Sequence, residues 1–161
     1  MPAPISLALY QPDIPQNAGA MLRLAACFDI PVHIVEPCGF VLDDRRMRRA
    51  GMDYMEKVDL IRHRGWDGFA GAVPGRLVLA TTRGATRYEA FAFQPGDCLV
   101  MGRESAGVPP EVHAAAAARV RIPLGAGLRS INVAQAAAIL TSEALRQLGA
   151  LPPDNIEADR P

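Results

Sequence analysis

The feature that most constrains the fold is a regular alternation of short apolar runs with segments of helical periodicity. The run Ile5–Tyr10 is typical of a buried strand, and residues 17–28 have the spacing of an amphipathic helix. The alternation continues to the last and longest helical segment, 131–148. Strands separated by helices are typical of an α/β domain. We therefore predict a single α/β domain with a mostly parallel sheet flanked by helices.

The remaining elements follow from the same patterns and from the residues that start and stop helices. The other predicted strands lie at 32–36, 58–62, 77–81, 98–101 and 120–123, and the other predicted helices at 44–50, 66–72 and 109–118. We expect Asn17 and Ser130 to be the N-cap residues of the first and last helices. Because α/β sheets bind ligands beyond the carboxyl ends of their strands, the segments that directly follow strands are the places to look for a site.

Composition excludes several classes of protein. The chain has 161 residues, half of them hydrophobic, which indicates one folded domain rather than a disordered chain. We expect this domain at 1–150 and a loose tail at 151–161. The three cysteines are far apart, which predicts neither a disulfide framework nor a zinc site. No apolar stretch reaches membrane-spanning length and the N-terminus does not resemble a signal peptide, so we expect a cytoplasmic protein.

Two motifs follow predicted strands. The first places Asn17, Ala20 and Arg23 at three-residue spacing, where Asn17 and Arg23 can flank a cleft at a helix start. A simpler explanation is a helix cap and a surface charge. The second runs from Gly102 through Glu104 to Gly107, and its glycines permit close approach of a ligand to the backbone. Its spacing matches neither a dinucleotide fingerprint nor a phosphate-binding loop.

A third motif spans residues 121–133, with the sequence RIPLGAGLRSINV. Its glycine-rich loop offers many backbone donors and acceptors, which suit a neutral or zwitterionic ligand better than a triphosphate. A capped helix after a flexible loop is the ordinary alternative. The helix that follows is apolar nearly all round in its first half. This predicts either a position in the middle of the domain or a subunit interface.

The three motifs, in this order, resemble motifs 1, 2 and 3 of the SPOUT RNA methyltransferases. Further similar stretches lie at 9–17, 34–40, 44–54 and 81–84, and the resemblance covers residues 5–149. It is strongest to the small TrmL-type members, which lack an added RNA-binding domain. The resemblance implies a C-terminal deep trefoil knot and a homodimer. It also implies methyl transfer from S-adenosylmethionine, without a metal, to the ribose 2′-oxygen of the tRNA wobble nucleotide, leaving S-adenosylhomocysteine.

The resemblance also implies roles for individual residues. The expected cofactor-binding residues are Ala80, Thr81, Gly102, Ile122, Leu124, Ser130 and Asn132. The expected catalytic residues are Arg23, Asn17 and Glu104. A guanidinium keeps its proton at neutral pH, so we expect Arg23 to stabilise a developing alkoxide and hold a phosphate rather than act as a base. We expect Asn17 and Glu104 to orient the ribose and Arg23.

RNA binding is expected from the arginine-rich segment, whose predicted helix can equally be a solvated face. The expected contacts to the tRNA anticodon stem-loop are Arg45, Arg46, Arg48, Arg49 and Arg129. Two alternatives stay open at this point. One is a SPOUT enzyme that acts on another tRNA or rRNA nucleotide, and the other is a non-enzymatic α/β module that binds a small ligand or RNA. The tRNA species, and the choice between cytidine and modified uridine, also stay open.

Overall fold

The structure is a computed structural model that describes residues 2–42, 52–83 and 86–154. The predicted basic helix at 44–50, with Arg45, Arg46, Arg48 and Arg49, lies outside the described residues, as does most of the predicted tail. The division into a domain and a tail therefore stays a prediction.

The described residues form one sheet of seven strands with helices on both faces. The strands are β1 (Ile5–Tyr10), β2 (Val32–Val35), β3 (Leu60–His63), β4 (Leu77–Ala80), β5 (Thr86–Arg87), β6 (Asp97–Met101) and β7 (Ala118–Arg121). The α-helices are α1 (Pro15–Phe28), α2 (Trp66–Ala72), α3 (Pro110–Ala115) and α4 (Val133–Gln147), and 3₁₀ turns lie at Met52–Lys57 and Tyr88–Ala90. The strand order is β3-β2-β1-β6-β4-β7-β5, and every pairing is parallel. The predicted fold class is confirmed.

The sheet is buried on both faces, which explains why its strands are continuous apolar runs rather than alternating ones. Leu9 and Leu99 belong to the core on the face that also contains Met21 of α1 and Leu140 of α4. The opposite face holds a second cluster around Phe69 of α2. Strand β1 lies between β2 and β6, so its hydrogen bonds are satisfied on both sides.

The structure corrects both predicted helix caps. Helix α1 begins at Pro15, a favoured first helical residue, and Ile14 precedes it. Asn17 therefore lies inside the helix and is not its cap. Helix α4 begins at Val133, and the cap is Asn132 instead of Ser130. The Asn132 Oδ1 accepts hydrogen bonds from the backbone N–H groups of the second and third helical residues, at 2.8 and 3.2 Å.

Two other predictions of secondary structure need correction. Helix α3 ends at Ala115, short of the predicted 118, because Ala118 pairs with Val78 at the start of β7. Strand pairing here overrides the helix preference of alanine. The first half of α4 is not buried on every side within one chain. Ala137 and Leu140 are buried, whereas Gln135 is exposed. The other explanation given for this apolar helix, a subunit interface, stays a prediction.

No helix among the described residues is long and apolar enough to cross a membrane. The trefoil knot implied by the family resemblance stays a prediction.

Candidate functional site

A cavity of about 550 Å³ lies at the carboxyl ends of four neighbouring strands, β1, β6, β4 and β7. The segments that leave these strands meet there, as expected for ligand sites in α/β sheets. Its volume is within the range of roughly 300–1,000 Å³ that is typical of small-molecule sites. Nine of the predicted site residues line it: Asn17, Ala80, Thr81, Gly102, Glu104, Ile122, Leu124, Ser130 and Asn132.

The structure places the two remaining described candidates elsewhere. Arg23 is exposed and lines a shallower groove between α1 and α4, which shares Asn17 and Asn132 with the cavity. Its guanidinium lies over the ring of Tyr54, 5.0 Å from the centroid. Arg129 is exposed on the loop before α4 and lines neither the cavity nor the groove.

One amide connects the two helices that border the cavity and the groove. The Asn132 Nδ2 donates to the Asn17 Oδ1 at 2.9 Å, across 115 residues of chain. Because the Asn132 Oδ1 already caps α4, both ends of its side chain are fixed. Asn17, predicted as a cap, instead receives a hydrogen bond from the true cap of the other helix.

The loop after β6 is a tight turn that depends on two glycines, Gly102 and Gly107. Arg103 and Gly107 exchange backbone hydrogen bonds of 3.0 and 2.9 Å. A Cβ atom on Gly102 would lie 3.0 Å from the backbone of Gly107, so a side chain there would push the turn open. Gly107 has a φ of +60°, which glycine adopts at little cost. The spacing of this motif therefore follows from the shape of the turn.

An acid pair holds this loop against the segment after β1. The Asp13 backbone N–H donates to the Glu104 Oε2 at 3.1 Å, and the Glu104 N–H donates to the Asp13 Oδ1 at 3.2 Å. The Ser105 hydroxyl donates to the other Asp13 oxygen. Burial, and then the hydrogen bond with Asp13, raise the pKa of Glu104, whereas that hydrogen bond lowers the pKa of Asp13.

Sequence reasoning missed several residues of the site. Asp13 lies in the similar stretch 9–17, but no role was predicted for it, since its partner Glu104 lies 91 residues further along the chain. Three arginines and one histidine also line the cavity: Arg83, Arg103, Arg121 and His113. Arg83 and Arg103 follow strands closely, so the rule that sites lie after strands could have identified them.

The cavity offers a small-molecule ligand both apolar and polar surface. Met101, Val120 and Leu140 provide an apolar wall, and the other segments provide backbone and side-chain polar groups. Glu104 also lines the cavity, and its Oε1 is buried without a hydrogen-bond donor. An unpartnered buried oxygen is costly, and a ligand can supply the missing partner. Among the described residues, no group of three acidic, histidine or cysteine side chains could hold a metal ion.

The fold and the cavity together define an α/β domain with a cavity of small-molecule size beyond the carboxyl edge of its parallel sheet. The chain belongs to the SpoU rRNA Methylase family, whose model matches residues 4–142. The relationship to RNA methyltransferases predicted from the three motifs is confirmed.

Relatives match the chain over most of its length. A protein of Beijerinckia indica named tRNA (cytidine(34)-2'-O)-methyltransferase is 56% identical over 151 residues, which are 90% of this chain and 92% of that protein. The protein of the same name from Escherichia coli K12 is 40% identical over 148 residues, or 90% of this chain and 94% of that protein.

Solved structures agree with the fold. One described as "Structural insights into the 2-OH methylation of C/U34 on tRNA" has a TM-score of 0.86 and 40% identity, and the match covers 90% of this chain and 96% of that chain. An AdoMet-bound rRNA methyltransferase from Sinorhizobium meliloti has a TM-score of 0.84 and 25% identity, and the match covers 92% of this chain and 58% of that chain.

Proposed function

We propose that this protein transfers a methyl group from S-adenosylmethionine to the ribose 2′-oxygen of nucleotide 34, the wobble position of tRNA. The observation that carries the proposal is the convergence of all three motifs on one cavity, although they are far apart in the sequence. The relatives named for this reaction at cytidine 34 match about nine-tenths of the chain, which supports the same substrate here. Either cytidine or a modified uridine is the nucleotide we expect at this position.

The cofactor is held by the loops at the carboxyl ends of β4, β6 and β7. The residues proposed for this role are Ala80, Thr81, Gly102, Ile122, Leu124, Ser130 and Asn132, all of which line the cavity. When bound, S-adenosylmethionine supplies an electrophilic methyl group. The transfer is an in-line displacement, so the protein contributes mainly alignment and stabilisation of charge. An AdoMet-bound relative with the same fold supports this assignment.

The substrate ribose is oriented by Asn17 and Glu104 at the cavity wall, with Arg23 in the adjacent groove. The ring of Tyr54 contacts one face of the Arg23 guanidinium, and the N–H donors of a planar guanidinium point outward from its edge. In this arrangement Arg23 stabilises the developing alkoxide and binds a phosphate of the RNA. Cavity and groove share Asn17 and Asn132, so the cofactor and the RNA meet at those two side chains.

The proposed partners are tRNA and a second copy of the chain. Small or apolar side chains line one part of the groove between α1 and α4: Ala20, Leu24, Ala134 and Ala138. We propose that a helix of the second copy packs against this part, while the part around Arg23, Asn17 and Asn132 binds the RNA. The tRNA anticodon stem-loop is bound by Arg129 and by the arginines at 45, 46, 48 and 49. We place the enzyme in the cytoplasm, where tRNA is modified.

Labelled methyl transfer to unmodified tRNA tests the proposal, with nuclease digestion and mass spectrometry to locate the label. The expected product is a tRNA with one 2′-O-methylated nucleotide at position 34. Label at another tRNA nucleotide, or in rRNA only, would keep the enzyme class and refute the proposed substrate. Absence of transfer, together with no thermal stabilisation by S-adenosylhomocysteine, would indicate a binding module instead of an enzyme.

A further inference from the structure

The proposed reaction releases a proton that needs an acceptor. The 2′-hydroxyl loses this proton as its oxygen bonds to the methyl carbon, and a guanidinium such as that of Arg23 cannot take it at neutral pH. Among the described residues that line the cavity, Glu104 and His113 are the side chains of a type that serves as a general base. The structure distinguishes between them, because one oxygen of the Glu104 carboxyl is held by the Asp13 backbone N–H and the other is buried without a donor.

Glu104 is positioned by reciprocal contacts with Asp13. Each residue donates its backbone N–H to the carboxylate of the other, at 3.1 and 3.2 Å, so neither side chain can turn without breaking the pair. Ser105 donates to the second oxygen of Asp13 and keeps that carboxylate directed at the loop. The Glu104 Oε2 is used in this pair, whereas Oε1 is buried without a donor.

We propose that Asp13 is a positioning residue that fixes Glu104 in the cavity wall and makes its carboxylate the acceptor of the proton lost by the 2′-hydroxyl. This inference rests on the proposed function. In the step, a bond forms between the 2′-oxygen and the methyl carbon, and the bond between that carbon and the sulfonium sulfur breaks. The electron pair of the broken bond stays on sulfur, and the hydroxyl proton passes to Glu104.

The negative charge of Asp13 has a chemical consequence. A carboxylate whose pKa is raised binds a proton more strongly and is a better base than an ordinary one. Burial raises the pKa of Glu104 above its ordinary 4.5, and the hydrogen bond and charge of Asp13 raise it further. Three cations line the same cavity, Arg83, Arg103 and Arg121, and the pKa of Glu104 is nevertheless raised. At pH values below this raised pKa, Glu104 is protonated, cannot accept the proton, and methyl transfer is lost.

The first test needs neither cofactor nor RNA. Carbon-13 NMR of side-chain carboxyls, assigned with Glu104→Gln, follows the titration of Glu104 in the free protein. In the wild type we expect the midpoint to lie above 4.5, and in Asp13→Asn to move toward lower pH. The Asn side chain keeps the acceptor oxygen and removes the charge. The control variant Asp29→Asn makes the same change at the exposed residue that follows the C-terminus of α1. It should leave the titration midpoint of Glu104 unchanged. An equal midpoint in wild type and Asp13→Asn overturns the inference.

The second test is the pH profile of single-turnover methyl transfer. In Asp13→Asn we expect the acidic fall in rate to move to lower pH and the plateau to drop, because the base is weaker. Asp13→Glu restores the charge and should recover part of the plateau. Glu104→Gln should lose about 10²- to 10⁴-fold in rate, as is typical for loss of a general base. Retained affinity for S-adenosylhomocysteine would show that the cavity is intact.

The outcomes separate the two proposals. Wild-type protein that methylates no tRNA contradicts the proposed function, and the NMR titration still reports on the acid pair. Wild-type protein that methylates tRNA, with a profile that Asp13→Asn leaves unchanged, contradicts this inference alone. An acidic fall that disappears in His113→Gln identifies His113 as the acceptor and also overturns it. Should Asp13→Asn fail to fold, the profile of Glu104→Gln decides the question.

Discussion

Asn132 stabilises the site through both ends of one amide. Its oxygen caps α4 and its nitrogen donates to Asn17, so a single side chain sets the start of one helix and its distance from another. Sequence patterns identified Asn132 and Asn17 as important but assigned the cap to Ser130. Asparagine and serine are comparable caps, and only the backbone position decides between them. The role of Asp13 was not predicted, although the residue lies in the similar stretch 9–17, because that role depends on a contact that exists only in the folded chain.

Two substitutions at Asn132 separate its roles. Asn132→Ala removes the cap and should lower the free energy of unfolding by about 1–2 kcal/mol. Asn132→Asp keeps the capping oxygen and places a negative charge at the helix N-terminus, which favours it, but removes the donor to Asn17. We expect near wild-type stability and impaired methyl transfer for Asn132→Asp. Urea denaturation and a transfer assay measure the two effects, and equal stability loss in both variants would contradict the assignment of the cap.

A substitution at Arg23 tests the proposal that the groove binds the RNA and the cavity binds the cofactor. Because Arg23 lines only the groove, Arg23→Ala should abolish methyl transfer and leave the affinity for S-adenosylhomocysteine unchanged. Arg23→Lys keeps a positive charge and should retain a fraction of the activity, although it loses the planar fork. Calorimetry of the three proteins gives the affinities. A large loss of cofactor affinity in Arg23→Ala would show that Arg23 contributes to the cofactor site, which would contradict its assignment to the groove.

At the scale of elements, the sequence predicts best the segments that have a clear apolar pattern. The bounds of β1 and α2 agree with prediction, since an apolar run and a short amphipathic segment leave little choice. Strand β5 was not predicted, because two exposed residues carry no apolar pattern. Helix α3 was predicted too long, because the pairing of β7 with β4 depends on partners that local sequence does not reveal.

The end of α4 is tied to the segment before β6 through Gln147. Its Oε1 accepts from the Phe93 N–H and its Nε2 donates to the Phe91 carbonyl, both at 3.0 Å. Gln147→Ala leaves these backbone groups without partners and should lower the free energy of unfolding by about 1–3 kcal/mol. Ser142→Ala, at an exposed position of the same helix, is the control and should change it little. Denaturation of both variants makes the comparison, and equal stabilities would contradict the role of Gln147.

The molecule as a whole depends on its strand order, which no local pattern predicts. The order places β1, β6, β4 and β7 side by side, and this brings three separate motifs to one cavity. The family resemblance anticipated this convergence, whereas periodicity predicted only that sites follow strands. The same resemblance implies the knot and the homodimer, which are properties of the whole chain and of its assembly. The local sequence gives no signal for the knot, whereas the apolar first half of the last helix is compatible with a subunit interface.

The proposed dimer can be tested at an exposed residue of the groove. Ala20 is exposed in the single chain, so Ala20→Glu should leave the fold intact and place a charge against the second copy. By sedimentation we expect the wild type at twice the 17.2 kDa chain mass and Ala20→Glu at the chain mass itself. Ala115→Glu, an equally exposed alanine of α3, should remain dimeric. If Ala20→Glu also stays dimeric, the groove is not the interface.

The proposed acceptor of the methyl group is the 2′-hydroxyl of nucleotide 34. Two anticodon stem-loops that differ only at this nucleotide, one with ribose and one with 2′-deoxyribose, test this assignment most directly. We expect the ribose form to accept one methyl group per molecule from S-adenosylmethionine and the deoxy form to accept none. Equal methylation of the two stem-loops would refute the assignment, because the acceptor would then be another atom.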